Sequence, residues 1–115
     1  MGKAMTRDDA IAEITRRLVE FYTPERVYLF GSVARGDDGP DSDLDFLVVV
    51  PDDAPKEQLR GGGIYSRLAG IGHAVDVIPW RQSDFDGRAA YVRASLPATV
   101  IREGRLLYDA LRIPA

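Results

Sequence analysis

Cysteine is absent from this 115-residue chain, and histidine occurs once. Without cysteine there is neither a disulfide framework nor a thiolate metal site, and a single histidine offers no second imidazole for a zinc set. No apolar run approaches the roughly 20 residues that a membrane-spanning helix needs. The N-terminus also lacks the charged and then apolar pattern of a signal peptide. These absences favour a cytoplasmic protein that does not cross a membrane.

An excess of one charge is also missing. The chain has 15 basic and 18 acidic residues, giving a net charge of −3, so a broad nucleic-acid surface is not favoured. A hydrophobic content of 45% and a charged content of 29% are ordinary for a globular protein. The length predicts a single domain over residues 1–115. The oligomeric state stays open, with a homo-oligomer among the alternatives.

The order of helical and extended patterns predicts an α/β (α+β) fold, in which helices flank a small mixed β-sheet of three to four strands. The first helix is expected to begin after Thr6, with Asp9 completing a capping box, and to end near Tyr22. The other predicted helices cover residues 32–35, 55–59, 64–69, 83 or 84 to 94, and 98–102. The predicted strands cover residues 26–30, 44–50, 74–78 and 105–108.

Glycine and proline mark the predicted boundaries of these elements. Residues 36–42 are full of turn formers and are expected to form an exposed loop. Gly61, Gly62 and Gly63 should interrupt the middle helical segment and leave either two short pieces or a mobile loop, because each glycine inside a helix costs about 1 kcal/mol relative to alanine. Pro79 is expected to end the third strand.

Two carboxylates open the second predicted strand. Asp43 and Asp45 are two residues apart, so their side chains point to the same face, about 7 Å apart along the backbone. Gly31 and Ser32 are expected at a helix N-terminus, where free backbone N–H groups favour a phosphate. Carboxylates repel a phosphate unless a cation lies between them, so the pattern indicates a hard metal such as Mg²⁺. The alternative is that the carboxylates only end a turn, although Asp45 lies in an apolar strand where an unpaired charge is costly.

This motif resembles a known signature. Gly31-Ser32, ten further residues and Asp43-x-Asp45 are similar to the signature of the DNA polymerase β-type nucleotidyltransferase superfamily. The fuller form, Gly-Ser-x-Ala-Arg-Gly followed by Ser-Asp-x-Asp and a hydrophobic run, resembles the minimal branch of that superfamily. Its members are small MNT-domain proteins, often encoded beside a HEPN-domain toxin to which they are the antitoxin. The resemblance implies a nucleotidyltransferase-like fold.

A third acid stands in the third predicted strand. Asp76 lies between Val75 and Val77, and its burial without a partner would be costly or would force protonation. The resemblance implies a third carboxylate on such a strand, so Asp43, Asp45 and Asp76 become the predicted catalytic and metal-binding residues, with two Mg²⁺ ions and ATP as substrate. The alternative is that Asp76 faces water at a strand edge or pairs with an arginine.

Four residues are predicted to bind the nucleotide: Gly31, Ser32, Arg35 and Ser42. A side chain at Gly31 would block the approach of phosphate to the backbone, although a tight turn explains the glycine equally. Ser32 is expected to donate a hydrogen bond to phosphate or to cap the following helix. Arg35 is expected to reach a phosphate or to pair with Asp41 or Asp43. Ser42 is expected to be a turn or positioning residue.

The resemblance implies a Mg²⁺-dependent enzyme that transfers AMP from ATP to a hydroxyl acceptor, with a HEPN toxin as the partner that it neutralises. Two alternatives remain open. The chain could be a non-catalytic antitoxin that inhibits a HEPN ribonuclease by binding alone. It could also be a small-molecule nucleotidyltransferase, but it is short for a separate acceptor-binding domain.

Other polar and aromatic residues have simpler interpretations. His73 is expected at a turn or on the surface, and Trp80 is expected to pack at the edge of the core. Arg88, Tyr91 and Arg93 form an aromatic and basic group on the late helix. This group is interpreted as a solvated helix face, with a partner surface as the second interpretation.

Overall fold

The computed structural model describes residues 5–36, 43–60 and 63–112. The described elements are α1 (Arg7–Tyr22), β1 (Arg26–Phe30), α2 (Ser32–Arg35), β2 (Leu44–Val50), α3 (Lys56–Leu59), α4 (Ile64–Arg67), β3 (Val75–Arg81), α5 (Gln82–Tyr91), α6 (Leu96–Glu103) and β4 (Arg105–Asp109). A 3₁₀ turn (Ala110–Arg112) follows β4. None of the described helices is both long enough and apolar enough to span a membrane.

The start of α1 has the predicted capping box. The Asp9 N–H donates to Thr6 Oγ1 at 3.0 Å, and the Thr6 N–H is 3.4 Å from Asp9 Oδ2. These bonds satisfy N–H groups that have no partner within the helix. One face of α1 is apolar, and its side chains Ile11, Ile14 and Leu18 are buried against the sheet.

The sheet has four strands in the order β3-β2-β1-β4. β1 pairs antiparallel with both β2 and β4, whereas β2 and β3 run parallel. The predicted α/β class with a mixed sheet is therefore confirmed, and the sheet has the larger of the two predicted strand numbers. Because β2 and β3 are parallel neighbours, their first residues lie at the same edge of the sheet.

Side chains alternate between the two faces of β2. Phe46, Val48 and Val50 belong to the larger apolar cluster, which α1 and α4 cover. Leu47 and Val49 belong to a smaller cluster on the other face, which α5 and α6 cover. Since side chains two residues apart share a face, Asp45 lies on the α5–α6 face of the sheet.

Several predicted boundaries were wrong. β3 does not end at Pro79 but continues to Arg81. In the parallel pairing with β2, N–H groups of β3 point alternately toward β2 and away from it, and the Val77 N–H points away, to a side chain. Pro79 is two residues further on, so its missing N–H faces the open edge, where a strand tolerates proline.

The last two helices also differ from the predicted ones. α5 begins at Gln82 without a side-chain cap, rather than after Ser83 or Asp84, and it ends at Tyr91 rather than near residue 94. α6 is longer than the predicted turn, because Ser95 caps it by accepting a hydrogen bond from the Ala98 N–H.

The middle of the chain forms the two short helical pieces that the glycines predicted, α3 and α4. Of these glycines, Gly63 directly precedes α4 with a positive φ of 84°, whereas residues 61 and 62 lie outside the described residues. The predicted exposed loop is described only at Gly36, because residues 37–42 lie outside the described part of the chain.

Candidate active site

Two of the predicted acids are direct neighbours in the sheet. Asp45 on β2 and Asp76 on β3 are partners in the parallel register. Paired residues of adjacent strands lie about 4.8 Å apart and direct their side chains to the same face. Asp45 is half-buried and Asp76 is exposed. The two acids thus share one face of the sheet at the beginning of both strands, although 30 positions of sequence separate them.

Asp43 completes this group of carboxylates. It is exposed and directly precedes β2, two residues before Asp45. Partial burial raises the pKa of the Asp45 carboxyl, and the nearby carboxylates of Asp76 and Asp43 raise it further. Both neighbouring acids are therefore close enough for their negative charges to act on Asp45.

The turn after β1 lies against Asp45. Phe30 is the register partner of Asp45 on β1, and Gly31 follows with φ 80° and ψ −160°, a conformation that is essentially restricted to glycine. A Cβ atom at Gly31 would overlap Asp45 Oδ2. The absent side chain consequently leaves the backbone of Gly31 open to the carboxylate group.

Gly31 is the N-cap residue of α2, and Ser32 is its first residue. Their predicted position at a helix N-terminus is confirmed. The alternative in which Ser32 caps the helix is wrong, because Gly31 is the cap and no side chain caps this end of α2. The half-buried Ser32 therefore remains a candidate phosphate ligand.

Arg35 lies in the last turn of α2 and is exposed. Its Nη1 is 4.0 Å from Glu103 Oε1, at the end of α6. The sequence indicated Asp41 or Asp43 as the acidic partner of Arg35 and did not indicate Glu103. Asp41 and the predicted nucleotide ligand Ser42 lie outside the described residues.

The acid group fits a divalent cation by its ligand chemistry. Asp43, Asp45 and Asp76 supply only carboxylate oxygens, the ligands that Mg²⁺ prefers. Within residues 5–36, 43–60 and 63–112, however, no three Asp, Glu, His or Cys side chains are arranged as a finished metal site. Asp43 and Asp76 are exposed, so turning their side chains toward Asp45 displaces no packed atoms. A cation between the carboxylates would also relieve the repulsion that raises the pKa of Asp45.

A tyrosine beside the acid group escaped the sequence analysis. The hydroxyl of Tyr65, on α4, accepts a hydrogen bond of 3.0 Å from the Val77 N–H, next to Asp76. This bond satisfies a backbone N–H at the open edge of β3 and ties α4 to the strand that carries Asp76. No motif around Tyr65 indicated it, because the contact depends on how α4 packs beside the sheet.

Two of the residues with simpler interpretations lie in the positions expected for them. His73 is half-buried at a bend before β3, in agreement with the expected turn position. Trp80 packs against the smaller apolar cluster, also as expected.

Solved structures share this fold at low sequence identity. A Sulfolobus solfataricus protein, provisionally described as a nucleotidyltransferase, is 24% identical, with a TM-score of 0.59 over 90% of this chain and 80% of its own. A chain of a toxin–antitoxin complex with AMP-PNP is 20% identical, with a TM-score of 0.56 over 90% and 74% of the two chains. A chain of an MntA–HpeT toxin–antitoxin variant, in which two aspartates two positions apart are changed to glutamate, is 19% identical, with a TM-score of 0.54 over 85% and 72%. At these identities the likeness shows the fold.

The family follows from sequence. No protein of curated function matches the chain at a significant level. The sequence model of the nucleotidyltransferase domain, in contrast, matches residues 9–102, a stretch that contains the Gly31 turn and all three acids. The resemblance found in the motif is thereby confirmed, and the chain belongs to the nucleotidyltransferase domain family.

Proposed function

We propose that this nucleotidyltransferase domain transfers AMP from ATP to a hydroxyl group of a partner protein in a Mg²⁺-dependent reaction. The partner is a HEPN-domain toxin, and the chain is its antitoxin. The observation that carries the proposal is the register pair of Asp45 and Asp76, with Asp43 beside it and the bare backbone of Gly31 against Asp45. Carboxylates opposite an open backbone turn suit a nucleoside triphosphate whose charge is balanced by cations.

In this proposal Asp43, Asp45 and Asp76 hold the divalent cations. Bound Mg²⁺ neutralises charge on the triphosphate and aligns the attacking and leaving oxygens. The three acids fix that charge at the edge of the sheet, because Asp45 is anchored within β2 and Asp76 within β3.

The turn after β1 orients the phosphates. The Gly31 backbone admits a phosphate oxygen where any other residue would place a Cβ against Asp45. The Ser32 hydroxyl donates to a phosphate oxygen, and Arg35 supplies a positive charge at the rim. Ser42 is assigned a positioning role for the same nucleotide.

The exposed position of Asp76 suits the acceptor side of the reaction. The acceptor oxygen forms a bond to the α-phosphorus, the bond from that phosphorus to the β-phosphate oxygen breaks, and pyrophosphate leaves. Asp76 accepts the proton of the acceptor hydroxyl, since its carboxylate faces solvent beside the anchored Asp45.

The structural neighbours support the nucleotide and the partner. One is a toxin–antitoxin complex with AMP-PNP, a non-hydrolysable relative of ATP. Another carries changes at two aspartates with the same spacing as Asp43 and Asp45. A non-catalytic antitoxin is the second candidate function. It is supported by the same toxin–antitoxin neighbours, because inhibition of a toxin by binding alone needs no transfer reaction.

The test is label transfer from ATP. The purified chain is incubated with Mg²⁺, ATP labelled on the α-phosphate and the protein encoded beside it. The partner should become labelled, and the Asp43→Asn, Asp45→Asn double variant should lower the labelling rate by about 100-fold or more. Asp53→Asn, an exposed acid beyond the far end of β2, is the matched control and should label normally.

The outcomes separate the two candidate functions. If the wild-type chain binds and inhibits its partner without labelling it, the non-catalytic function is correct. If the double variant labels as fast as Asp53→Asn, the acid group is not the active site.

A further inference from the structure

The outer surface formed by α5 and α6 combines positive charge with exposed apolar side chains. Residues 87–102 contain three arginines and no aspartate or glutamate, although the whole chain has a net charge of −3. This stretch is therefore net positive, whereas the remainder of the chain is net negative. None of the roles proposed for the nucleotide site uses these residues.

The apolar part of this surface is unusually exposed. Tyr91, at the end of α5, is 88% exposed, Val92 is 41% exposed and Ile101, on α6, is 50% exposed. A single exposed apolar residue is ordinary on a protein surface, but a group of them beside a groove is typical of an interaction site.

A groove runs between α5 and α6 at this place. It has a volume of about 340 Å³. Ala89, Ala90 and Ala98 lie along it, and Tyr91 and Ile101 also line it. Small alanine side chains leave a concave strip between two helices, and such a strip accepts the ridge of side chains of a third helix.

Two arginines, Arg93 and Arg102, line the groove, and Arg88 is exposed on α5 directly before the lining residue Ala89. In the described part of the chain, the side chains of Arg88 and Arg93 make neither an ion pair nor a hydrogen bond. Arg102 donates to the Arg93 carbonyl oxygen at 3.1 Å, so its guanidinium is held at the surface without a neutralising carboxylate. These three charges are available to acidic groups of a bound molecule.

α6 connects the groove with the rim of the candidate active site. Ile101 and Arg102 directly precede Glu103, whose carboxylate is 4.0 Å from Arg35 on α2. α2 begins at Gly31, which lies against Asp45. The end of α6 beside the groove therefore contacts the helix that follows the Gly31 turn.

We infer that the α5–α6 groove is the docking surface for an amphipathic helix of the partner protein, with an apolar stripe flanked by aspartate or glutamate. The apolar stripe covers Tyr91 and Ile101, and the acidic residues pair with Arg88, Arg93 and Arg102. A protein helix fits better than nucleic acid, because aliphatic side chains and alanines line the groove and the basic residues number only three. The inference rests on the proposed function in that it takes the acceptor protein to be the occupant.

Binding can be measured without nucleotide, so the result is independent of catalysis. The probe is a fluorescent helical peptide of about 18 residues, with leucines along one face and glutamates on either side. A second peptide has lysine in place of every glutamate. Fluorescence anisotropy of the full chain with each peptide gives the affinities.

Three variants test the charge and apolar contributions. Arg88→Glu with Arg93→Glu should weaken binding of the acidic peptide about tenfold or more and should strengthen binding of the lysine peptide. Tyr91→Ser with Ile101→Ser should weaken the binding of both peptides by about tenfold. Lys56→Glu with Arg60→Glu changes the charge equally near α3 and should have no more than about a twofold effect.

Each contrary outcome assigns the surface differently. If the Lys56→Glu, Arg60→Glu control loses as much affinity for the acidic peptide as the Arg88→Glu, Arg93→Glu variant, the peptide is attracted by the net charge of the chain and the groove is not a docking site. A single-stranded oligonucleotide could displace the peptide. If the Arg88→Glu, Arg93→Glu variant also fails to bind that oligonucleotide, the surface binds nucleic acid. Sedimentation of the wild-type chain could show a dimer. If the Tyr91→Ser, Ile101→Ser variant then sediments as a monomer, the groove is a contact between two copies of this chain. Peptide binding as expected, together with no AMP transfer, would overturn only the proposed reaction.

Discussion

The two faces of the β-sheet differ in how completely they are closed. On the α1 face, side chains from α1, α4 and three strands form one large cluster, and Phe46, Val48 and Val50 have no exposed surface. On the α5–α6 face, the cluster around Phe85 is smaller, and the same face carries Asp45 and Asp76 at one end. The chain thus places most of its apolar burial on one face and its candidate catalytic acids on the other.

β2 shows this division within seven residues. Its even-numbered residues all point to the large cluster, whereas its odd-numbered residues begin with Asp45 and continue with Leu47 and Val49. A charge in the first position is tolerated because Asp45 remains half-exposed at the end of the strand. Its backbone is nevertheless held by β1 on one side and β3 on the other.

Matched phenylalanine variants give the largest expected difference between the two faces. Phe46→Ala should lower the free energy of unfolding by about 3–5 kcal/mol, because it opens a cavity between the sheet and α1. Phe85→Ala should cost less, because its ring, which also stacks on Tyr28, belongs to the smaller cluster, where α5 can close the gap. Urea unfolding measures both, and an equal or reversed order would refute the comparison.

Glycine variants at the two ends of α2 give the next largest effect. Gly31→Ala should lower the free energy of unfolding by about 2 kcal/mol, because φ is positive and the new Cβ meets Asp45. Gly36→Ala has the same φ of 80° but nothing within 4 Å of its Cβ, so it should cost about 1 kcal/mol. Calorimetric titration with AMP-PNP should show weaker binding for Gly31→Ala alone. Equal losses of stability and affinity at both positions would mean that the contact with Asp45 is unimportant.

The smallest expected effect is a gain in stability. The pKa of Asp45 is raised in the folded protein, so folding favours its protonated form, and this contribution is lost as the pH rises through the folded pKa. Asp45→Asn mimics the protonated acid and should raise the melting temperature by about 1–3 °C at pH 7 without metal. The gain should disappear below the ordinary aspartate pKa of about 3.9.

Thermal unfolding at several pH values measures this gain, with Asp53→Asn as the control that should change nothing. Added Mg²⁺ should stabilise the wild-type chain and thereby narrow its difference from Asp45→Asn. A destabilised Asp45→Asn variant at neutral pH would contradict the mutual repulsion of the three acids.

Local patterns in the sequence predicted most of this fold. The capping box at Thr6 and the strand patterns of β1 and β2 depend on neighbouring residues, and both were predicted at their observed positions. The predicted end of β3 was wrong, because a strand can contain a proline such as Pro79 when the missing N–H faces the open edge of the sheet, and the local sequence does not show which side that is. The end of α5 was wrong although a local signal existed: Ser95, with Pro97 after it, marks the start of the next helix.

The residues of the candidate site also fall into those that local patterns predicted and those that depend on the tertiary fold. Asp43, Asp45 and the Gly31 turn could be found from their spacing on adjacent elements. Asp76 needed the resemblance, because nothing local says that β3 pairs parallel with β2 in the register that joins it to Asp45. The contact between Arg35 and Glu103 was not predicted, since it depends on how α6 packs over the sheet.

The most direct measurement is a crystal structure of the chain grown with Mn²⁺ and AMP-PNP, with anomalous scattering used to locate the metal. We expect anomalous peaks between the carboxylates of Asp43, Asp45 and Asp76, and we expect the triphosphate to lie over the Gly31 turn. Nucleotide bound elsewhere, or bound at the turn with no metal on these three acids, would contradict the proposed active site.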